Sequence, residues 1–234
     1  MKIIKKLLLS LLALFIVIGV AGFIAISSVL YPNVLVSGNG NTTVLCVGDS
    51  ITYGQGVLFK RKTQTYTYLL SSLSDGEYTV LNYGLSNRTL LSSGNMPYTN
   101  EKFYEKSLKE DADIVTIMLG TNDSKEANWN PSRYKQELET FIKTYQNMQS
   151  HPTVYVMLPP KIFIDGTENG NCNNVTLVNE VIPIINEVCT SINVTTIDLY
   201  TITKDHPEFF DDGLHPNYEG NIVIAKEIYK IIKE

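Results

Sequence analysis

Thr43-Val44-Leu45-Cys46-Val47-Gly48-Asp49-Ser50-Ile51-Thr52 is an apolar, β-rich run that stops on a glycine and then presents a serine. Five apolar or β-branched residues bounded by a glycine turn read as a strand ending at the edge of a sheet. The serine beyond it is either a nucleophile offered to a cleft or, with Asp49, a cap on a following helix. The rest of the chain has to choose between the two.

Four further β-rich runs stand downstream, at Tyr78–Tyr83, Ile114–Leu119, Thr153–Leu158 and Val194–Leu199. Segments of helical spacing separate them, at Gln64–Leu73, Thr99–Glu110, Pro131–Gln149 and Val175–Ile192, and Tyr218–Ile232 closes the chain. Asn130 before Pro131 and Asn217 before Tyr218 are caps for two of these helices. Strands alternating with helices imply an α/β domain with a five-stranded parallel sheet. Runs such as Ile114-Val115-Thr116-Ile117-Met118-Leu119 alternate too little to face water, so both sheet faces should be covered.

The domain occupies residues 43–234, preceded by a polar linker over 31–42 that contains Ser37-Gly38-Asn39-Gly40-Asn41. Ahead of it, Lys2, Lys5 and Lys6 precede an uncharged apolar run from Leu7 to Leu30. About 20 apolar residues cross a hydrocarbon core, and a secretory signal has only about 7–15, so residues 1–30 read as a transmembrane signal anchor. The lysines then stay in the cytoplasm and the domain lies outside the cell, with secretion after cleavage at Ala25-Ile26-Ser27 as the alternative. Taking those three lysines from the 19 basic residues leaves 16 against 24 acidic ones, a net charge of −8. A domain of that sign is not attracted to nucleic acid. An exported chain permits a disulfide between Cys172 and Cys189, which would stabilise the fold by about 3 kcal/mol; two unpaired thiols are the alternative, and Cys46 is a small core residue.

In an open parallel sheet, ligands bind outside the carboxyl ends of the strands. The residues there form a coherent chemical set. Asp212-Gly213-Leu214-His215-Pro216 supplies a carboxylate and an imidazole three residues apart, which suits the base and orienting acid of serine acyl transfer if the ring reaches Ser50, and a solvated surface turn if it does not. Gly84 and Asn122 each follow a strand, and a backbone N–H and a side-chain amide are the donors a developing oxyanion requires. No Cys/His cluster has metal-site spacing.

Gly48-Asp49-Ser50-Ile51-Thr52, Gly84, Gly120-Thr121-Asn122-Asp123 and Asp212-Gly213-Leu214-His215-Pro216 resemble, in order, the four blocks of the SGNH, or GDSL-type, hydrolase family. The resemblance runs from Thr43 to the C-terminus. It implies a flavodoxin-like three-layer α/β/α sandwich that hydrolyses esters without a cofactor. Ser50 would be the nucleophile, His215 the general base and acid, and Asp212 its orienting carboxylate; the N–H groups of Ser50 and Gly84 and the amide of Asn122 would form the oxyanion hole. Asp49 and Asp123 fall outside the triad and are read as hydrogen-bonding supports. The absence of a Gly-x-Ser-x-Gly elbow separates the chain from the α/β-hydrolases.

Within the family, the polar segment Pro159–Asn174 and the stretch His206–Gly213 resemble members that remove acetyl groups from carbohydrates such as xylan and sialic acid. A lysophospholipase or thioesterase is the nearest alternative. Two readings of other classes are a catalytically silent surface-binding protein and a metal-dependent phosphohydrolase built on Asp49, Asp123, Asp212 and His215.

Overall fold

The computed structural model describes residues 14–20, 22, 32–164 and 171–233. The chain divides into two units, Met1–Asn33 and Val34–Glu234. In the first, residues 14–20 are helical, with Phe15 and Ile18 exposed. Most of the expected anchor, residues 1–30, lies outside the described residues, and among those described no helix is long and apolar enough to cross a membrane.

The second unit is built on a six-stranded mixed sheet in the order β1-β3-β2-β4-β5-β6. The strands are β1 (Leu35–Ser37), β2 (Thr42–Gly48), β3 (Tyr78–Gly84), β4 (Ile114–Met118), β5 (Thr153–Leu158) and β6 (Thr195–Asp198). The last five run parallel, in the positions expected. The sixth corrects the expectation of five: part of the stretch read as linker pairs antiparallel with β3, Leu35 opposite Asn82 and Ser37 opposite Val80. Three residues between a proline and a Gly-Asn turn are too short for periodicity to reveal. They supply an edge strand because β3 would otherwise leave its backbone unpaired there.

The main helices are α1 (Ser50–Tyr53), α2 (Tyr66–Leu73), α3 (Lys102–Ser107), α4 (Pro131–Gln146), α5 (Ile182–Ser191), α6 (Leu199–Thr203) and α7 (Tyr218–Ile232). Asn130 Oδ1 accepts from the N–H of Arg133 and caps α4, whose first residue is Pro131. Asn217 Oδ1 accepts from the N–H of Gly220 and caps α7. Both follow from side chains that satisfy helix N–H groups lacking a backbone acceptor.

The β2 side chains go alternately to two cores. Leu45 and Val47 join Tyr134, Leu138 and Ile142 of α4 and Ile185 and Val188 of α5. Val44 and Cys46 join Leu70 of α2 and Ile224 and Ile228 of α7. Helices therefore cover both faces, and each fully buried aliphatic side chain contributes about 1.5–3 kcal/mol. The parallel order places the switch in strand sequence between β2 and β4, where the crevice of such a sheet lies. Ser50 follows one of these strands and Asn122 the other.

Candidate active site

At the end of β2 the Asp49 carboxylate accepts from the N–H of Ile51 at 2.9 Å, and α1 starts at Ser50. Asp49, not the serine, is the cap. This frees the Ser50 hydroxyl. Two glycines let α1 sit tightly over the strand ends: a Cβ on Gly48 would lie 2.2 Å from Thr52 Oγ1, and one on Gly84 would lie 2.1 Å from the Tyr53 nitrogen. The turn of helix is pinned further by the Asn82 amide, which donates to the Thr52 carbonyl at 2.7 Å.

Ser50 Oγ lies 2.9 Å from Nε2 of His215, and Nδ1 of that ring lies 2.6 Å from Oδ2 of Asp212. The segment that carries the pair is shaped by its own carboxylate: Asp212 Oδ1 accepts from the N–H groups of Leu214 at 2.9 Å and His215 at 2.7 Å. Gly213 makes this fold possible with φ of +76°, a conformation open to glycine. Its carbonyl accepts from the N–H of Phe163, which ties the segment to the loop after β5. Partial burial pushes the Asp212 carboxyl up, but the N–H groups of His215 and Leu214 and the imidazole outweigh it and hold the acid below its ordinary value.

Asn122 sits in the turn after β4. Its Nδ2 donates to the Arg88 carbonyl at 3.2 Å and reaches Asp49 Oδ2 at 3.4 Å. The N–H of Ser50 has no backbone partner among the described residues, as expected for the first residue of a helix. Ser50 N–H and the Asn122 amide therefore stand on the two sides of the crevice. Gly84, at the end of β3, is the third residue expected to offer a donor here. Its N–H is committed to Asn82 Oδ1 at 3.0 Å, and its lack of a side chain serves the close approach of α1.

Asp49 and Asp123, read from the sequence as hydrogen-bonding supports, are both buried. Desolvation pushes Asp49 up to about 7 against the opposing N–H of Ile51. It likewise pushes Asp123 up to about 6, although the N–H groups of Leu90 and Leu91 bond to its two oxygens at 3.0 and 2.8 Å. These bonds hold the loop after β3 against the turn after β4. Among the described residues, no three His, Cys, Asp or Glu side chains gather as metal ligands would.

Cys172 and Cys189 are unbridged, the second of the two readings open to them from the sequence. Both are buried, Cys172 with its thiol 3.8 Å from Asn122 Oδ1 and Cys189 on the inner face of α5.

The sequence reading missed Arg88. It is 1% exposed, donates to the Ser86 carbonyl at 2.7 Å and pairs with Glu101 at 2.8 Å. Its own carbonyl is the one that receives the Asn122 amide. The available signal was an arginine just ahead of the apolar Thr89-Leu90-Leu91. The segment Pro159–Asn174, expected to set specificity, is described as far as Ile164 and again from Asn171; in the first part Phe163 packs on Phe210 with ring centres 5.3 Å apart.

Comparison with known proteins gives the family and relatives of the chain. The chain is 35% identical over 206 residues to an acetylxylan esterase of Xylanibacter ruminicola, covering 81% of this chain and 43% of that protein. It is 22% identical over 152 residues to a GDSL esterase/lipase of Oryza sativa subsp. japonica, covering 57% and 58% respectively. The chain thus spans about half the length of these curated relatives. Among solved structures, the fold is shared with the carbohydrate acetylesterase Est24 of Sinorhizobium meliloti, at a TM-score of 0.65, 22% identity, and coverage of 82% of this chain and 99% of that one. It is shared also with the acetylxylan esterase Axe2 of Geobacillus stearothermophilus, at a TM-score of 0.63, 17% identity, and coverage of 82% and 94%. The profile of the GDSL-like Lipase/Acylhydrolase family matches residues 46–222 of the 234, a span that holds every residue of the site, and the chain belongs to that family.

Proposed function

We propose that this chain is a serine esterase that removes acetyl groups from carbohydrates. The observation that carries the reading is the continuous contact from Asp212 through His215 to Ser50 Oγ, at 2.6 and 2.9 Å. His215 Nε2 takes the serine proton as Oγ attacks the acetyl carbonyl, and Asp212 holds the ring in the tautomer this needs. Negative charge then develops on the carbonyl oxygen, where the Ser50 N–H and the Asn122 amide are its donors. The imidazolium returns its proton to the departing sugar hydroxyl. Water, deprotonated by the same nitrogen, releases acetate from Ser50.

The acetyl-carbohydrate preference is supported by the acetylxylan esterase at 35% identity. The test is a panel of p-nitrophenyl esters of increasing acyl length, followed by acetylated xylan and acetylated sialic acid, on the wild type and on Ser50→Ala. The expected result is acetate release that needs Ser50 and falls with acyl length. A preference for long acyl chains would replace it with a lipid-directed or thioester-directed reading. Turnover that survives Ser50→Ala would end the nucleophile assignment.

For location, the proposal remains an anchor over residues 1–30 with the domain outside the cell, supported by the three lysines ahead of the apolar run from Leu7 to Leu30. Protease added to intact cells should remove the domain, and its protection would overturn this arrangement.

A further inference from the structure

Beside the triad, the chain from Gly56 to Lys60 and the start of α7 enclose a groove of about 460 Å³. Its floor abuts the catalytic segment directly: a Cβ on Gly56 would lie 2.3 Å from the Pro216 carbonyl oxygen and 2.9 Å from that of His215. Asp211, on its wall, immediately precedes Asp212 in the chain. No part of the acyl-transfer machinery described above uses this groove.

Two of its lining side chains are Phe59 and Tyr218, which are 98% and 40% exposed. Among the described residues of the 34–233 unit, they are the two aromatic side chains left in solvent. The other aromatic rings of this unit are buried or half-buried, so finding both exposed ones on one groove against the His215-Pro216 backbone calls for an occupant. The polar lining points to its chemistry. Asp211 uses one carboxylate oxygen to hold the Asn217 amide at 2.7 Å, and the side chains of Lys60, Gln64 and Glu219 make no hydrogen bond among the described residues. Rings that offer a flat apolar face, surrounded by unengaged carboxylate, amide and ammonium groups, match a pyranose, which has an apolar C–H face and a rim of hydroxyls.

We propose that this groove is a subsite for the carbohydrate part of the substrate, holding a neutral pyranose stacked on Phe59 and Tyr218 with its hydroxyls on Asp211, Gln64, Lys60 and Glu219. Two carboxylates against one ammonium leave the groove with net negative charge, which favours an uncharged sugar over an anionic one such as sialic acid. The inference rests on the proposed esterase reading and narrows its substrate to neutral acetylated oligosaccharides.

The test uses this chain and its Phe59→Ala, Tyr218→Ala and Phe59→Trp variants, with acetylated xylo-oligosaccharides and p-nitrophenyl acetate as paired substrates. Loss of one stacking contact should raise KM for the oligosaccharide by about tenfold. Turnover of p-nitrophenyl acetate, which has no sugar to place, should stay unchanged, and Phe59→Trp should restore oligosaccharide affinity. Titration of unacetylated xylo-oligosaccharide by calorimetry reads the same subsite without turnover, and its affinity should fall in both alanine variants. Unchanged KM and unchanged binding in both variants would overturn the subsite while Ser50-dependent hydrolysis of p-nitrophenyl acetate left the esterase reading intact. Failure of the esterase reading shows separately, as p-nitrophenyl acetate turnover that does not depend on Ser50. Equal or tighter binding of acetylated sialic acid would overturn the preference for a neutral sugar.

Discussion

Nε2 of His215 lies 2.9 Å from Oγ of Ser50, although 165 positions separate the two residues in the chain. The contact works because each partner is oriented from its far side. Asp49, not Ser50, caps α1, and Asp212 holds the imidazole through Nδ1. Replacing Asp212 with Asn should keep the fold, since the Asp212 side chain is half exposed, but should favour the wrong tautomer of the ring. We expect kcat on p-nitrophenyl acetate to fall by about 10⁴-fold with the thermal midpoint nearly unchanged.

In the proposed mechanism, Asn122 offers a donor to charge that exists only in the transition state. Asn122→Ala should therefore lower kcat by roughly 10²–10³-fold and leave KM almost unchanged, as read from steady-state kinetics. An equal rise in KM would mean that the amide binds ground-state substrate instead.

Asp49 makes folding stability depend on pH. Burial raises its folded value from 3.8 to about 7, so the folded chain holds this proton more tightly than the unfolded one. The corresponding stability is full below the unfolded value and is lost as pH rises through about 7. Asp49→Asn can still cap α1 but cannot ionise. Between pH 5 and 8 its unfolding free energy should gain on the wild type by roughly 2 kcal/mol, whatever the offset at pH 5. Denaturant melts at the two pH values measure the difference.

The Arg88–Glu101 pair holds the loop whose carbonyl receives Asn122. Glu101→Ala would leave a guanidinium buried without its carboxylate, at a cost of about 3 kcal/mol. Calorimetry should show a lower midpoint by roughly 10 °C at 2–4 °C per kcal/mol. A fall in kcat should accompany it through Asn122, and Glu101→Gln, which keeps an acceptor, should lose less of both.

The three cysteines are buried and free, and burial pushes Cys46 and Cys189 up to about 12 and Cys172 to about 11. Iodoacetamide should label none in the native protein and all three after unfolding, as counted by mass spectrometry. A reductant should not move the thermal midpoint.

The five parallel strands were legible because a strand covered on both faces is written as an unbroken apolar run, as in Ile114–Met118 and Thr43–Val47. The caps Asn130 and Asn217 were legible because capping is local. The meeting of Ser50, His215 and Asp212 was legible as a possibility because each lies just past a strand end or in a short turn with few structural uses for that residue type. Strand β1 was not, since three residues carry no period and their pairing depends on an edge that only β3 provides. The cysteine pairing was not legible either, because spacing does not reveal that Cys172 turns to Asn122 and Cys189 into the core.

By itself, then, the order of residues determined the layered architecture and the chemical groups gathered at one sheet edge, because both follow from local pattern and from the rule that parallel strands end together. Only the tertiary structure decided how those groups are used. It showed Gly84 committed to Asn82 and packed under α1, and Arg88 anchoring Asn122 from behind. It also left Phe59 and Tyr218 exposed on one groove against the His215-Pro216 backbone. Hydrogen-bond commitment and burial are properties of partners brought together across the chain, and no single stretch of sequence contains both sides of such a contact.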